Sequence, residues 1–145
     1  HQLVIDREYL LLRPIAVNLD PVRIKLGDDA SALGPFRLSI HERAGNTFDA
    51  DPSTAVLDKD KIAFPLQWRT WTDGDFFFPL GMKGRKKVSD FLIDMKLSLP
   101  EKQSVTVIES ERQIVWLPGL RIDDRFKVTP QTRTSLVLSL RRNPS

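Results

Sequence analysis

The chain has 145 residues, a length that suits one compact domain or two small ones. Hydrophobic residues make up 41% of it and charged residues 28%, which excludes a disordered chain, and no apolar run approaches the roughly 20 residues of a membrane-spanning helix. The absence of cysteine excludes disulfides and thiolate metal sites and fits a reducing compartment, so we expect a cytoplasmic protein.

The formal net charge of +3 is unevenly distributed along the chain. Residues 1–75 contain 9 Lys+Arg against 12 Asp+Glu, a net of −3, whereas residues 76–145 contain 13 against 7, a net of +6. A basic C-terminal half suits a polyanionic partner, although many proteins of this charge bind no nucleic acid. The chain begins at His1 without an initiator Met or a signal-peptide pattern, so we expect a fragment or a processed product.

The first half of the sequence predicts short strands. Residues 2–17 indicate a strand pair or one long strand. Further strands are predicted over residues 22–26, 36–41 and 67–71, separated by turn-forming residues at 27–31 and a polar loop at 44–53. Asp73-Gly74 marks a turn, and we place a domain boundary there, between a β-rich segment (1–73) and a C-terminal domain (74–145).

One amphipathic helix is predicted at about residues 86–96. Four apolar residues at spacing i, i+3, i+4 and i+7 share one helical face there: Val88, Phe91, Leu92 and Met95. Arg85, Lys86 and Lys87 crowd the helix N-terminus, where the dipole is positive and exposed cations cost about 0.3–1 kcal/mol each. A loop with glycines that enters a helix is also the geometry that cradles phosphate. Either a nucleic-acid phosphate offsets the repulsion, or the side chains splay into water.

The remaining sequence predicts more short strands. Residues 99–103 could begin a helical turn, and the β-branched runs 105–108 and 114–117 predict a hairpin. A charged loop flanked by short strands follows at 121–128, then a last strand at 135–140 with alternating leucines, then a frayed tail at 141–145. The whole pattern predicts a β-rich α+β fold, with short, mostly antiparallel strands in a small sheet or barrel-like arrangement and one clear helix.

Catalytic constellations are missing from the sequence. His1 and His41 stand alone, and no nucleophile elbow, phosphate-binding P-loop or dinucleotide fingerprint is present. Asp123 and Asp124 are adjacent, so on a strand they face opposite sides and make a poor acid–base dyad; their other interpretation is pairing with neighbouring arginines. We therefore predict no catalytic residue, no metal site and no cofactor within this chain.

Two basic groups favour binding. The first comprises Lys83, Arg85, Lys86 and Lys87, and the second Arg121, Arg125 and Lys127. If the fold brings them together, they could straddle a nucleic-acid backbone; otherwise the second group is a solvated loop with local ion pairs. Four aromatic residues could either stack on bases or belong to the core: Phe76, Phe77, Phe78 and Trp116.

Two long stretches carry a resemblance to a known family. Residues 74–96, which read GDFFFPLGMKGRKKVSDFLIDMK, resemble the start of the C-terminal domain of the bacterial tRNA(Ile)-lysidine synthetase family. Residues 114–126, which read IVWLPGLRIDDRF, together with Lys127-Val128-Thr129 and Thr132, resemble the rest of that domain. The resemblance extends from Leu66 to Leu140, and residues 1–65 are only loosely similar to the segment that precedes this domain.

The resemblance implies a ligase of tRNA modification. Such an enzyme uses ATP, with Mg expected, to adenylate the wobble cytidine of an isoleucine tRNA, and lysine then displaces AMP to give lysidine. In the family this chemistry belongs to an N-terminal domain with a Ser-Gly-Gly-x-Asp-Ser loop. This chain has no Gly-Gly pair, so we expect the catalytic domain, with its ATP and Mg, to be a partner in cis outside the chain, and the chain alone to be inactive.

The family's C-terminal domain is associated with gripping the tRNA acceptor stem. That role gives the predicted RNA-binding set: Lys83, Gly84, Arg85, Lys86, Lys87, Arg121, Arg125 and Lys127. Gly81 and Gly84 would permit close approach of the backbone. The alternative is a protein-interaction or assembly module whose basic face docks an acidic partner domain. An independent small-molecule enzyme is the third interpretation, and the missing catalytic constellations argue against it.

Overall fold

The computed structural model describes residues 19–142, which form short strands and two short helices. In chain order the strands are β1 (Val22–Ile24), β2 (Ala30–Leu33), β3 (Phe36–Ala44), β4 (Thr54–Asp58), β5 (Leu66–Thr70), β6 (Phe76–Phe77), β7 (Lys86–Lys87), β8 (Thr106–Ser110), β9 (Gln113–Leu117), β10 (Arg121–Ile122) and β11 (Thr134–Arg142). The helices are α1 (Val88–Asp94) and α2 (Leu99–Gln103), and 3-10 turns cover Lys59–Lys61 and Asp124–Phe126.

The strands form two larger sheets and one ribbon, and their pairing is antiparallel throughout. Sheet 1 has the order β1-β5-β8-β9-β10, and sheet 2 has the order β2-β3-β11-β4. Strands β6 and β7 form a separate two-stranded ribbon. The predicted β-rich α+β fold with antiparallel strands and one clear helix is confirmed.

Alternation of side chains builds the core between the sheets. The predicted final strand has Leu136, Leu138 and Leu140 on one face, and all three are buried. In sheet 1, Trp68 and Trp116 both lie opposite Ile108 on its two neighbouring strands and are fully buried. The indole N–H of Trp68 donates to Thr106 Oγ1 at 2.9 Å, so this buried polar atom is satisfied.

The predicted helix is too long at both ends. Lys86 and Lys87 are extended, because their backbones pair with Phe77 and Phe76 in the ribbon, and α1 therefore starts at Val88. At the other end Met95 is the C-cap and Lys96 has a positive φ of 59°, which ends the helix. Lys86 and Lys87, which were predicted to begin the helix, therefore form β7, and Lys87 is also the N-cap of α1. Arg85 lies in the loop before them.

Several other boundaries differ from those predicted. Strand β1 stops at Ile24, because the backbone turns between Lys25 and Asp28 through two hydrogen bonds. Strands β2, β4, β6 and β7 were not predicted, since each is short and lacks a clear alternation of its own. The helical turn at 99–103 and the hairpin of β8 and β9 are confirmed, although the hairpin turn is only Glu111-Arg112, both with positive φ.

The predictions for the two ends of the chain fall only partly within the described residues. Arg141 and Arg142 belong to β11 and pair with β3, so the prediction of a frayed tail is wrong for these two residues. The predicted strands at 2–17 and the last three residues of the tail lie outside the described residues. The proposed domain boundary after residue 73 stays a prediction, but strands from both sides of it share sheet 1 and sheet 2.

Candidate nucleic-acid interface

The β6–β7 ribbon presents the first basic group. Its inner side is anchored by Phe77, which is fully buried and packs edge-on against Phe91 of α1, with ring centroids 5.1 Å apart. Its outer side carries Phe76, which is 42% exposed and lies 4.7 Å below the guanidinium of Arg85. The ribbon therefore holds one ring in the core and the other at the surface with a cation on it.

Backbone hydrogen bonds join the second basic group to the chain that leaves the ribbon. Leu80 N–H donates to Ile122 O at 3.0 Å, and Asp124 N–H donates to Phe78 O at 2.6 Å. Pro79 and Asp123 form the bridge between these two bonds. The segment 78–80 thus lies antiparallel to 122–124, so the loop 81–85 and the arginines of 121–125 occupy neighbouring surface.

Asp123 organises this junction. Its carboxylate is fully buried and accepts four hydrogen bonds: from Phe78 N at 2.9 Å, and from the backbone N, Nε and Nη2 of Arg125 at 2.8, 3.0 and 3.0 Å. The Arg125 guanidinium also stacks 4.2 Å from the centre of the Phe78 ring. A buried carboxylate is tolerated when it is paired and its lone pairs are satisfied, and both conditions are met here.

Arg121 is held by different partners. Its Nη1 donates to Leu80 O at 3.3 Å, and its guanidinium lies 5.3 Å from the centre of the Phe91 ring. The predicted pairing of Asp124 with an arginine is therefore wrong, because Asp124 binds Lys127 Nζ at 2.9 Å. The pairing of Asp123 with Arg125 is confirmed.

The predicted RNA-binding cations fall into two classes. Lys86, Arg125 and Lys127 have acidic partners: Asp94 at 2.5 Å, Asp123 at 3.0 Å and Asp124 at 2.9 Å. Lys86 thereby supplies the basic neighbour that the like charges of Asp90 and Asp94 on α1 require. In contrast, Lys83, Arg85 and Lys87 are exposed and make no ion pair within residues 19–142.

Two glycines give the loop its path. Gly81 and Gly84 have φ values of +83° and +76°, a region that side-chain-bearing residues rarely adopt. A Cβ added at either position would meet no atom within 4 Å, so both glycines are set by backbone conformation and face open space. The backbone of the loop is consequently accessible beside the free cations.

Arg69 forms a charged network that the sequence analysis missed. It donates to both oxygens of Asp75 at 3.0 Å and to Glu109 at 3.1 and 3.3 Å. The hydrogen bonds that Arg69 donates to Asp75 raise the pKa of Arg69 against the opposing effect of desolvation, and those it donates to Glu109 add to the rise. Asp75 also accepts from Thr72 N at 2.7 Å and so fixes the turn before the ribbon. Only the pairing of β5 with β8 brings Glu109 to Arg69, so no local pattern predicts the network.

The predicted aromatic platform is reduced to one exposed ring. Phe77 and Trp116 are buried, so for them base stacking was the wrong alternative and the core interpretation is confirmed. Phe78 is half-buried beneath Arg125. Within the described part of the chain, no cluster of three or more metal-ligating side chains occurs, and no helix is long and apolar enough to cross a membrane.

Comparison with known proteins identifies the family. The sequence model described as "TilS substrate C-terminal domain" matches residues 66–139, about half of the chain. The chain belongs to this family. The resemblance noted from residues 74–96 and 114–132 is thereby confirmed.

Individual relatives agree with this family. The chain is 34% identical over 142 residues to a tRNA(Ile)-lysidine synthase of Parabacteroides distasonis, covering 96% of this chain and 32% of that protein. It is 33% identical over 138 residues to the corresponding synthase of Bacteroides thetaiotaomicron, covering 93% and 30%. The chain thus spans about a third of the length of the curated relatives it matches.

Solved structures support the fold. A crystal structure of a TilS C-terminal domain superimposes with a TM-score of 0.71 at 21% identity, covering 87% of this chain and all of that one. An N-terminal fragment of the phenylalanyl-tRNA synthetase β-subunit from Pyrococcus horikoshii gives a TM-score of 0.53 at 18% identity, covering 60% and 27%. At these identities the likeness concerns the fold alone.

Proposed function

We propose that this chain is the tRNA-binding C-terminal part of a tRNA(Ile)-lysidine synthase. It grips the acceptor stem of an isoleucine tRNA through a surface, here called the basic surface, made of Lys83, Gly84, Arg85, Lys86, Lys87, Arg121, Arg125 and Lys127. The ATP- and Mg-dependent attachment of lysine belongs to a catalytic domain in cis, and the chain alone is inactive. The proposal agrees with the relatives' name, tRNA(Ile)-lysidine synthase. It also agrees with their length, because each relative is about three times as long as the region that this chain matches.

The observation that carries the proposal is the unpaired charge of the loop. Lys83, Arg85 and Lys87 project from a ribbon and loop that are linked by residues 78–80, whose backbone is hydrogen-bonded to the second basic segment. None of the three cations has an acidic partner within residues 19–142. Duplex RNA is recognised mostly through its shape, phosphates and 2′-hydroxyls, which requires cations and accessible backbone more than base-reading side chains. The open backbone at Gly81 and Gly84 suits the same ligand.

The cations of the basic surface have unequal roles. Lys83, Arg85 and Lys87 contact phosphates directly, because no ion pair must be broken first. Lys86 and Lys127 exchange exposed carboxylate partners for phosphate, which costs little since exposed pairs contribute about 0–1 kcal/mol. Arg121 is held by the neutral Leu80 O, so it presents a positive charge in a fixed position. Arg125 is ion-paired with Asp123, so it offers guanidinium donors of fixed geometry and little net charge.

Filter binding of tRNA over a range of salt concentrations tests the proposal. We expect Lys83→Gln with Lys87→Gln to weaken binding and to reduce the slope of log affinity against log salt by about 2, roughly one per lost phosphate contact. Arg23→Gln with Lys25→Gln is the matched control, because it removes the same charge from β1 and the turn that follows it, at the edge of sheet 1 opposite β10.

Two results would contradict the proposal. An equal loss in both double variants would mean that only net charge matters and that the basic surface has no special role. Absence of tRNA binding by the unsubstituted chain at low salt would favour the alternative, in which the basic surface docks an acidic partner domain. In that case the catalytic region added in trans should bind the chain, and Lys83→Gln with Lys87→Gln should weaken that complex.

A further inference from the structure

A second cationic site lies on sheet 2, in strands that do not contribute to the basic surface. A cavity of about 340 Å³ opens there, and its polar lining comes from Ser31 of β2, Arg37 and Ser39 of β3, and Arg141 and Arg142 of β11. Among residues 19–142, no acidic side chain lines it. Of the described lining residues, Arg37, Ser39 and Arg141 have their side chains on the same face of sheet 2, so guanidinium and hydroxyl groups border the cavity there.

Two of these arginines face each other across the sheet. The register of β3 and β11 places Arg37 directly opposite Arg141, and the next row on the same face pairs Ser39 with Ser139. Side chains directly opposite on antiparallel strands are close neighbours, and like charges in that position destabilise the pairing. A bound negative group would offset this repulsion.

The described part of the chain provides no such group. Arg37 is held by hydrogen bonds from Nη1 to Gly34 O at 3.0 Å and Phe36 O at 3.1 Å, both neutral acceptors. Neither Arg37 nor Arg141 forms a salt bridge within residues 19–142. Arg37 keeps Nε and Nη2 as donors that these bonds do not use.

The surroundings leave the two guanidiniums accessible. On the edge strand β2, the residues opposite Ser39 and Arg37 are Ala30 and Ala32, whose small side chains are exposed. The neighbouring row contributes only the hydroxyls of Ser39 and Ser139. An oxyanion with several acceptor oxygens matches this set, because guanidinium groups bind such anions through parallel hydrogen bonds.

We propose that this site, formed by Arg37, Ser39 and Arg141, which share one face of sheet 2, binds phosphate groups of the RNA backbone. The proposal rests on the proposed function, and it adds a second point of contact to the basic surface. When one RNA molecule is bound at the basic surface, its phosphates are held near the site on sheet 2. Binding at this second site is then intramolecular, and it raises the overall affinity without any change at the basic surface. The chemistry recognised is the phosphodiester oxyanion, not a base or a metal.

Binding of tRNA by Arg37→Gln with Arg141→Gln tests the second site. We expect weaker binding and a salt slope lower by about 2, one per lost contact, with the loss adding to that of Lys83→Gln with Lys87→Gln because the sites are separate. The control is again Arg23→Gln with Lys25→Gln. The single variant Arg141→Gln breaks no hydrogen bond within residues 19–142, so it tests the site even if the double variant fails to fold.

The outcomes separate this inference from the proposed function. If the unsubstituted chain binds tRNA and the loop variant weakens it, but Arg141→Gln and the double variant match the control, the second site is refuted and the basic surface stands. If the unsubstituted chain binds no tRNA, both proposals fail together. A second readout is stability: removing one of two opposed cations should leave the denaturation midpoint of Arg141→Gln unchanged or raised, and a marked decrease would mean that Arg141 is structural.

Discussion

At the scale of single residues, Asp123 decides how the second basic group is presented. Four donors converge on its buried carboxylate, and two of them are guanidinium nitrogens of Arg125. The same carboxylate holds Phe78 N, so one side chain ties the end of the ribbon to the arginine beside it. The buried Asp123 therefore fixes the position of the guanidinium of Arg125 at the surface.

Replacing Asp123 by Ala should therefore destabilise the fold. We expect the free energy of unfolding to fall by about 3 kcal/mol, because removing one partner of a buried pair leaves polar groups unsatisfied, while the partly exposed Arg125 recovers some hydration. The adjacent variant Asp124→Ala is the control and should cost less than about 1 kcal/mol, since the Asp124–Lys127 pair is exposed. Urea denaturation measures both, and equal losses would contradict the role given to Asp123.

At the scale of elements, α1 depends on what it packs against. It has only seven residues, and its N-cap, Lys87, makes no side-chain capping bond. Helices this short are unstable in isolation. In comparison, α2 has a full capping box between Ser98 and Glu101. The stability of α1 must come from its buried face of Val88, Phe91 and Leu92, and from the ribbon that precedes it.

Two substitutions on α1 should separate burial from helix propensity. Phe91→Ala should lower the free energy of unfolding by about 3–5 kcal/mol, because it leaves a cavity beside Phe77 and removes the ring under Arg121. Ile93→Ala on the same helix should change it by less than about 0.5 kcal/mol, since Ile93 is 58% exposed. Similar losses in chemical denaturation would mean that α1 is not anchored through Phe91.

At the scale of the whole molecule, neither side of the predicted boundary completes a sheet. Sheet 1 joins β5 to β8, and sheet 2 places β11 between β3 and β4. The family match also begins at residue 66, before the boundary. Cutting the chain at Asp73-Gly74 would expose strand edges and apolar faces in both sheets.

Residues 74–145 produced alone should therefore lack a stable fold. We expect poor amide dispersion in nuclear magnetic resonance spectra and no cooperative thermal transition, whereas the whole chain should show both. The physical reason is that β8 loses β5, and β11 loses both of its neighbours, including the nine-residue pairing with β3. A cooperative transition in the isolated piece would instead establish the boundary as a domain border.

The sequence alone was enough to locate the elements in which apolar residues repeat with the period of a strand or a helix. The alternation in β3 and β11 identified their buried faces, and the spacing of Val88, Phe91 and Leu92 identified α1. These predictions succeeded because the spacing of buried residues in a strand or a helix can be read from neighbouring positions in the sequence. The two basic groups and the family resemblance were readable for the same reason, since each is a contiguous stretch.

Tertiary structure decided which charges meet. Pairing with Phe76 and Phe77 took Lys86 and Lys87 out of the helix, and bonds between distant segments brought the loop 81–85 beside Arg121 and Arg125. The opposition of Arg37 and Arg141 likewise exists only through the register of β3 with β11. Sequence alone determined that this protein is a β-rich member of its family with basic loops. The Asp123–Arg125 and Asp124–Lys127 pairs are local in sequence. Which cations the fold brings side by side depends on long-range pairing of segments, which no local pattern encodes.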